Sequence, residues 1–156
     1  MAKSPVGQIL AERAVGHREF VHPGPIRSLA QAAAERGQAP EQIVRSLLFR
    51  VNAGDYVMVL MAGPQQVNWK TLRRHLGENR VTMASREEVL AVTGYELGAV
   101  APFGLSQAVP LLVDASVFAP DEISLGSGRR GTTIIMETAV LKEALPNFTR
   151  VDFSGR

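Results

Sequence analysis

Two periodicities alternate along the chain. Ser4-Pro5 sets an N-cap and a first-turn proline before a helical stretch reaching about Val15. Arg18 to His22 reads as a short strand. Ser28 and Gln31 have the spacing of a capping box and open a second helix that Gly37 closes. Ile43 to Val51 and Asp55 to Ala62 read as two strands, with Asn52-Ala53-Gly54 as their hairpin connection. Asn68 starts a helix ending at Gly77, and Ser85 with Glu88 starts another ending at Gly94. Val109 to Asp114, Glu122 to Leu125, Thr132 to Met136 and Phe148 to Val151 are strand-like, and Ala139 to Ala144 is helical. Helical segments interleaved with hairpins predict a mixed α/β (α+β) fold whose sheet is largely antiparallel. With no repeat and no linker, residues 1–156 read as a single domain.

Composition narrows the chemistry. A chain of 156 residues with 46% apolar side chains builds a sizeable core without staples. The absence of cysteine removes disulfides, zinc-thiolate sites and a cysteine nucleophile. Seventeen basic against fifteen acidic residues leave a formal charge of +2, too little to draw nucleic acid over the whole surface. Local basic clusters remain at Arg73, Arg74 and His75 and at Arg129 and Arg130. The longest apolar run, Tyr56 to Ala62, is strand-sized, so no membrane span is expected. The N-terminus lacks the apolar stretch of a secretory signal, and a cytoplasmic location is expected.

The usual catalytic sets are missing. There is no G-x-S-x-G elbow, and His17, His22 and His75 lack metal-ligand spacing, so neither a metal nor a cofactor is expected. Gly126-Ser127-Gly128-Arg129-Arg130-Gly131 spells G-x-G-x-x-G, but a β-branched run follows it where a dinucleotide site needs a helix. Those glycines read instead as a hairpin that lets a ligand approach the backbone. The segment Gly94 to Gly104 reads as a loop with little side-chain chemistry, either a surface connection or a source of backbone N–H groups for an oxyanion.

Arg45 is the most informative residue. Alternation places it with Ile43, Leu47, Phe49 and Val51, the more apolar face of its strand, which should look into the core. A guanidinium there must reach a carboxylate, line a polar pocket or guard a strand edge. His22, before Pro23-Gly24-Pro25, either lines a pocket or is structural.

Several of these segments together resemble the YbaK/EbsC family of aminoacyl-tRNA deacylases, related to the editing domain of bacterial prolyl-tRNA synthetases. The resemblance runs from about Phe20 to Leu141. It is carried by Ala39 to Leu48, Thr93-Gly94-Tyr95, Gly98 to Gly104, Val109 to Asp114 and Gly128-Arg129-Arg130-Gly131. It implies a curved, barrel-like mixed sheet surrounded by short helices, and hydrolysis of mischarged tRNA by a free-standing enzyme, often tRNA for proline carrying alanine or cysteine. The implied partners are the 3′ acceptor end of aminoacyl-tRNA and a synthetase such as prolyl-tRNA synthetase; no metal is implied.

Carried over by position, the resemblance assigns catalytic roles to Arg45, Gly98 and Ala99, the last two through backbone amides. It assigns substrate contacts to Phe20, His22, Leu47, Gly94, Tyr95 and Pro102, and to Ser127, Gly128, Arg130 and Gly131. The family's usual residue at position 45 is lysine, and arginine is not an equivalent cation. The serine often found just before the family's Gly-Lys-Arg-Gly stretch has no clear match, with Gly126 and Ser127 standing there, and an acidic residue that some members carry just after it is replaced by Thr133. The mechanism expected is attack by a positioned water or a substrate group on the ester, in a pocket between the Arg45 strand and the Gly98–Pro102 loop. The alternative from another class is a pocket protein that binds tRNA ends or aminoacyl-adenylate-like ligands without turnover.

Overall fold

The computed structural model describes residues 3–154. Its first four helices begin where a side chain can take up a free backbone N–H. Ser4 accepts from Gly7 N ahead of α1 (Pro5–Glu12), and Ser28 accepts from Gln31 N ahead of α2 (Leu29–Arg36). Asn68 accepts from Thr71 N before α3 (Trp69–Leu76). Ser85 and Glu88 exchange both bonds of a capping box at α4 (Arg86–Thr93). At α2 the box is altered: Gln31 Oε1 accepts from Arg27 N rather than from Ser28 N. The last helix, α5 (Thr138–Ala144), has no side-chain cap.

The strands are β1 (Arg18–Val21), β2 (Val44–Val51), β3 (Asp55–Ala62), β4 (Val81–Met83), β5 (Leu111–Asp114), β6 (Glu122–Gly126), β7 (Thr132–Glu137) and β8 (Thr149–Val151). They form a three-stranded antiparallel sheet, β1-β7-β6, and a five-stranded mixed sheet, β4-β2-β3-β5-β8. In the larger sheet β5 runs parallel to both neighbours, and the remaining pairs are antiparallel. An isolated parallel bridge between Ile43 and Ser124 joins the two sheets, which curve around a common core without closing into a ring. The expected architecture, a mixed and largely antiparallel sheet with short helices around it, is the one observed. Differences are local: Ile43 and Val109-Pro110 lie outside β2 and β5, and β4 was not expected.

The expectation that only one face of β2 looks into the core needs correcting. Val44 and Leu48 pack into the main core with Met58, Leu60, Val113, Ile134 and Phe103. Phe49 and Val51 pack on the opposite face into a second core with Val59, Met61, Leu72, Leu112 and Phe153. β2 is an inner strand covered on both sides, so alternation does not separate inside from outside. No helix among the described residues is long and apolar enough to cross a membrane.

Candidate active site

β2 pairs with β3 along its whole length, but its other edge is paired only towards its C-terminal end, with a further bridge at the residue just before the strand. Phe49 to Val51 pair with β4, and Ile43 bridges to Ser124. Between these contacts the two sheets separate, and a chamber of about 250 Å³ opens in the seam. Residues 43–47 form one wall. Leu125, Gly126 and Gly131 to Thr133 form the opposite wall, Leu97, Gly98 and Val100 a third, and Ile26 and Arg36 complete the lining. An outer hollow of about 560 Å³ shares Ile26, Leu97, Gly98 and Gly131 with the chamber and adds Gly24, Pro25 and Arg130. The result is a narrow, mostly apolar inner space behind a wider mouth bearing a cation.

Backbone geometry brings the third wall close. Gly98 sits at φ +93°, a conformation that disfavours any side chain. A Cβ added at Gly126 would lie 2.1 Å from Val100 O, so the hairpin and the loop touch only because residue 126 is glycine. Gly128 N donates to Ala99 O at 2.9 Å and locks the two segments together.

The sequence-derived site residues divide into those the fold brings to the cavity and those it uses elsewhere. Arg45, Leu47, Gly98, Arg130 and Gly131 line the chamber or its mouth. Ala99 does not: its N–H donates to Glu96 O at 2.9 Å and is spent within the turn. Tyr95 is buried in the main core with its hydroxyl donating to Phe103 O, and burial raises its pKa. Gly94 follows α4 as its C-cap. Pro102 is buried but is not a lining residue. Ser127 is buried too, its hydroxyl binding Arg129 O and Thr132 O at 2.9 and 2.7 Å, and so knits the hairpin. Gly128 packs against the Tyr95 ring. Phe20 meets the His22 ring edge-on, with 5.0 Å between centroids.

Arg45 reaches neither a carboxylate nor an ion-pair partner among the described residues. Its Nε donates to Gly63 O at 2.8 Å and its Nη2 to Gln65 O, so its guanidinium straps the loop after β3 to β2. Partial burial lowers its pKa. Arg130 at the mouth donates to Leu97 O from Nε and Nη2, at 3.2 and 2.9 Å, and lies 3.6 Å from Glu96.

Sequence reasoning missed Arg36, the last residue of α2. Its Nε donates to His22 Nε2 at 3.0 Å and its Nη1 to Ser124 Oγ at 2.9 Å. A guanidinium can only donate, so His22 Nε2 must be unprotonated and the ring proton must sit on Nδ1. Nδ1 lies 2.6 Å from Glu35 Oε1 and donates to it. That bond, followed by one from Gln31, holds the Glu35 carboxyl below the usual carboxylate range. Desolvation pulls the Arg36 pKa down to about 10, which still leaves a full positive charge at neutral pH. The only sequence signal was the pair Glu35-Arg36 itself, which looks like any charged helix end. Among the described residues no group of three or more His, Asp or Glu side chains could hold a metal ion.

A family model described as "Aminoacyl-tRNA editing domain" matches residues 23–144. The proline–tRNA ligase of Kosmotoga olearia is 37% identical over 99 residues, covering 64% of this chain and 17% of the ligase. The chain thus spans about a sixth of the length of that relative. The multifunctional Ser/Thr-tRNA deacylase ProXp-y of Escherichia coli is 31% identical over 123 residues, covering 74% of each chain. A solved structure described as a proposed trans-editing enzyme for prolyl tRNA synthetase superposes with a TM-score of 0.82 at 24% identity, over 97% of this chain and 98% of that one. At that identity the superposition establishes the fold.

Proposed function

The chain belongs to the aminoacyl-tRNA editing domain family, and from that premise we propose that it acts in trans as a deacylase that hydrolyses the ester of mischarged tRNA. The observation that carries the reading is the seam chamber. Its walls lie within the segment matched by the family, and it offers a strand wall, a backbone amide at Gly98 that meets no acceptor among the described residues, and cations, but no activated nucleophile. The relative of similar extent described as a Ser/Thr-tRNA deacylase supports the same reading.

Three residues of the chamber walls carry hydroxyls: Ser46, Thr132 and Thr133. Thr133 Oγ1 donates to Leu125 O at 2.8 Å, and Ser46 Oγ is enclosed without a partner among the described residues. The lining holds no histidine and no carboxylate to act as a base, so none of the three is activated for attack. The nucleophile is therefore a positioned water. When water attacks, its oxygen bonds to the carbonyl carbon, and the carbonyl becomes an oxyanion. The bond to the ribose oxygen then breaks, and that oxygen takes a proton. Free amino acid and tRNA with an intact 3′ end leave. Donors fixed in advance around the carbonyl supply the catalysis, with positioning supplying the rest.

In this scheme the acceptor end crosses the outer mouth, where Arg130 is placed to meet a phosphate, and the aminoacyl group enters the chamber between β2 and Gly98. The small inner volume favours short side chains, among them alanine, serine and cysteine. The test is deacylation of a panel of tRNAs for proline charged with alanine, cysteine, serine, threonine or proline. Faster release than the spontaneous rate for at least one mischarged species, with prolyl-tRNA spared, is expected. No turnover anywhere, with retained binding of a non-hydrolysable aminoacyl-adenosine analogue, would make the protein a binder instead.

A further inference from the structure

Of the two arginines beside the chamber, one is committed to holding the protein together and the other is held ready. Arg45 places Nε and Nη2 on loop carbonyls. Arg36 places Nε on a histidine and one hydrogen of Nη1 on Ser124 Oγ, and its Nη2 and the second hydrogen of Nη1 meet no acceptor among the described residues. It lies in the inner chamber rather than at the mouth.

The support behind Arg36 is unusually complete for a surface-derived side chain. The Glu35 carboxylate accepts from His22 Nδ1, and Gln31 Nε2 donates to the other carboxylate oxygen at 2.9 Å. The His22 side chain is wholly buried, and the Phe20 ring meets it edge-on. Glu35 thus fixes the histidine tautomer, and the histidine offers a lone pair to Arg36 Nε. This is how an outer group orients an inner one at a working site. Holding a guanidinium partly out of water is costly unless an electron-rich partner is expected there.

We infer that Arg36, oriented by the Glu35–His22 pair, is the cation that meets the ester carbonyl of the substrate and stabilises the oxyanion formed on it. The inference rests on the deacylase reading above. Phosphates belong at the mouth with Arg130; within the chamber, the charge that develops during hydrolysis is on the carbonyl oxygen. A donor fixed beforehand and partly withdrawn from water stabilises that charge more than it does the neutral ester. His22 and Glu35 are positioning residues and take no proton during the reaction.

The experiment is single-turnover deacylation of whichever mischarged tRNA the wild type hydrolyses, with rate constant and apparent affinity measured separately. Arg36→Ala is expected to lose about 100-fold in rate constant at saturating tRNA, as removal of an oxyanion donor does, with affinity changed less than about threefold. Added methylguanidinium should restore part of the rate to Arg36→Ala and none to an Arg130→Ala control. His22→Phe, which removes the lone pair facing Arg36 Nε, should lose about 10-fold in the same constant, as expected when positioning is relaxed. His22→Gln, which keeps an acceptor, should recover most of that loss. If Arg36→Ala melts well below the wild type, Arg36→Lys, which keeps charge but not the fork, is read instead and should also lose rate rather than affinity. A rate within about threefold of wild type for both Arg36 variants, or a loss confined to affinity, overturns the inference while leaving the deacylase reading standing. A wild type that hydrolyses nothing overturns both.

Discussion

Arg36 and Arg45 illustrate what a single residue's surroundings decide. Alternation along β2 marks Arg45 as an inward cation, whereas the structure leaves it half-buried, lining the chamber with its guanidinium on the loop after β3. Its partners were not legible, because they are the backbone carbonyls of Gly63 and Gln65, eighteen and twenty residues away across the β2–β3 hairpin. A carbonyl carries no sequence signature. Arg45→Ala removes charge-assisted bonds from a partly exposed site and should lower unfolding free energy by about 1–3 kcal/mol, read from urea denaturation. Loss of less than about 0.5 kcal/mol would mean that the strap contributes nothing. His22 stood open between pocket residue and structural residue; the structure gives it no cavity surface and bonds it to Glu35 and Arg36, both beyond the reach of local pattern.

At the scale of elements, termini were more legible than faces. The caps at Ser4, Ser28, Asn68 and Ser85 act locally, within three residues, so the chain displays them directly. β4 was not legible because Val81–Met83 is three residues long and only Val81 is buried. Alternation along β2 marks no single buried face because both sides are covered, one of them by Leu72 and Phe153, which lie outside the strand's local pattern. One cap also ties elements together. Glu88 accepts from Ser85 N and from the Tyr56 hydroxyl at 2.6 Å on β3, and Arg50 of β2 lies 3.6 Å away. The Ser85 backbone bond, then the Tyr56 bond, holds the Glu88 carboxyl below the usual carboxylate range. A carboxylate lowered on folding contributes stability above its unfolded pKa, and that contribution is lost as pH falls through the folded value. The urea midpoint should therefore fall between pH 5 and pH 3, and Glu88→Gln should show a shallower fall from a lower starting point. An unchanged slope in the variant would remove Glu88 from the acid response.

On the scale of the whole molecule, the mixed and largely antiparallel architecture follows from the order of hairpins and helices, and the hairpin assignment of the glycine-rich segment follows from the β-branched run after it. The seam does not follow from any one segment. It exists because β2 is paired with β4 towards its C-terminal end and Ile43, just before the strand, is bridged to β6, leaving Val44 to Leu47 facing a gap. Residues 26–47, 97–100 and 125–133 converge there, and several residues carried over by resemblance instead hold its walls in place. Tyr95, Ser127 and Gly128 position the loop and hairpin that the substrate is proposed to meet.

The central claim is that ester hydrolysis takes place in this chamber. Ile26 lines both the chamber and its mouth and is 44% exposed, so a larger side chain there obstructs entry with little demand on the core. The decisive measurement is deacylation of the preferred mischarged tRNA by Ile26→Trp beside the wild type, with melting temperatures recorded for both. The account predicts at least a tenfold loss of turnover, on the order expected when near-attack positioning is denied, at an unchanged melting temperature. Full activity in a folded Ile26→Trp protein would place the chemistry elsewhere.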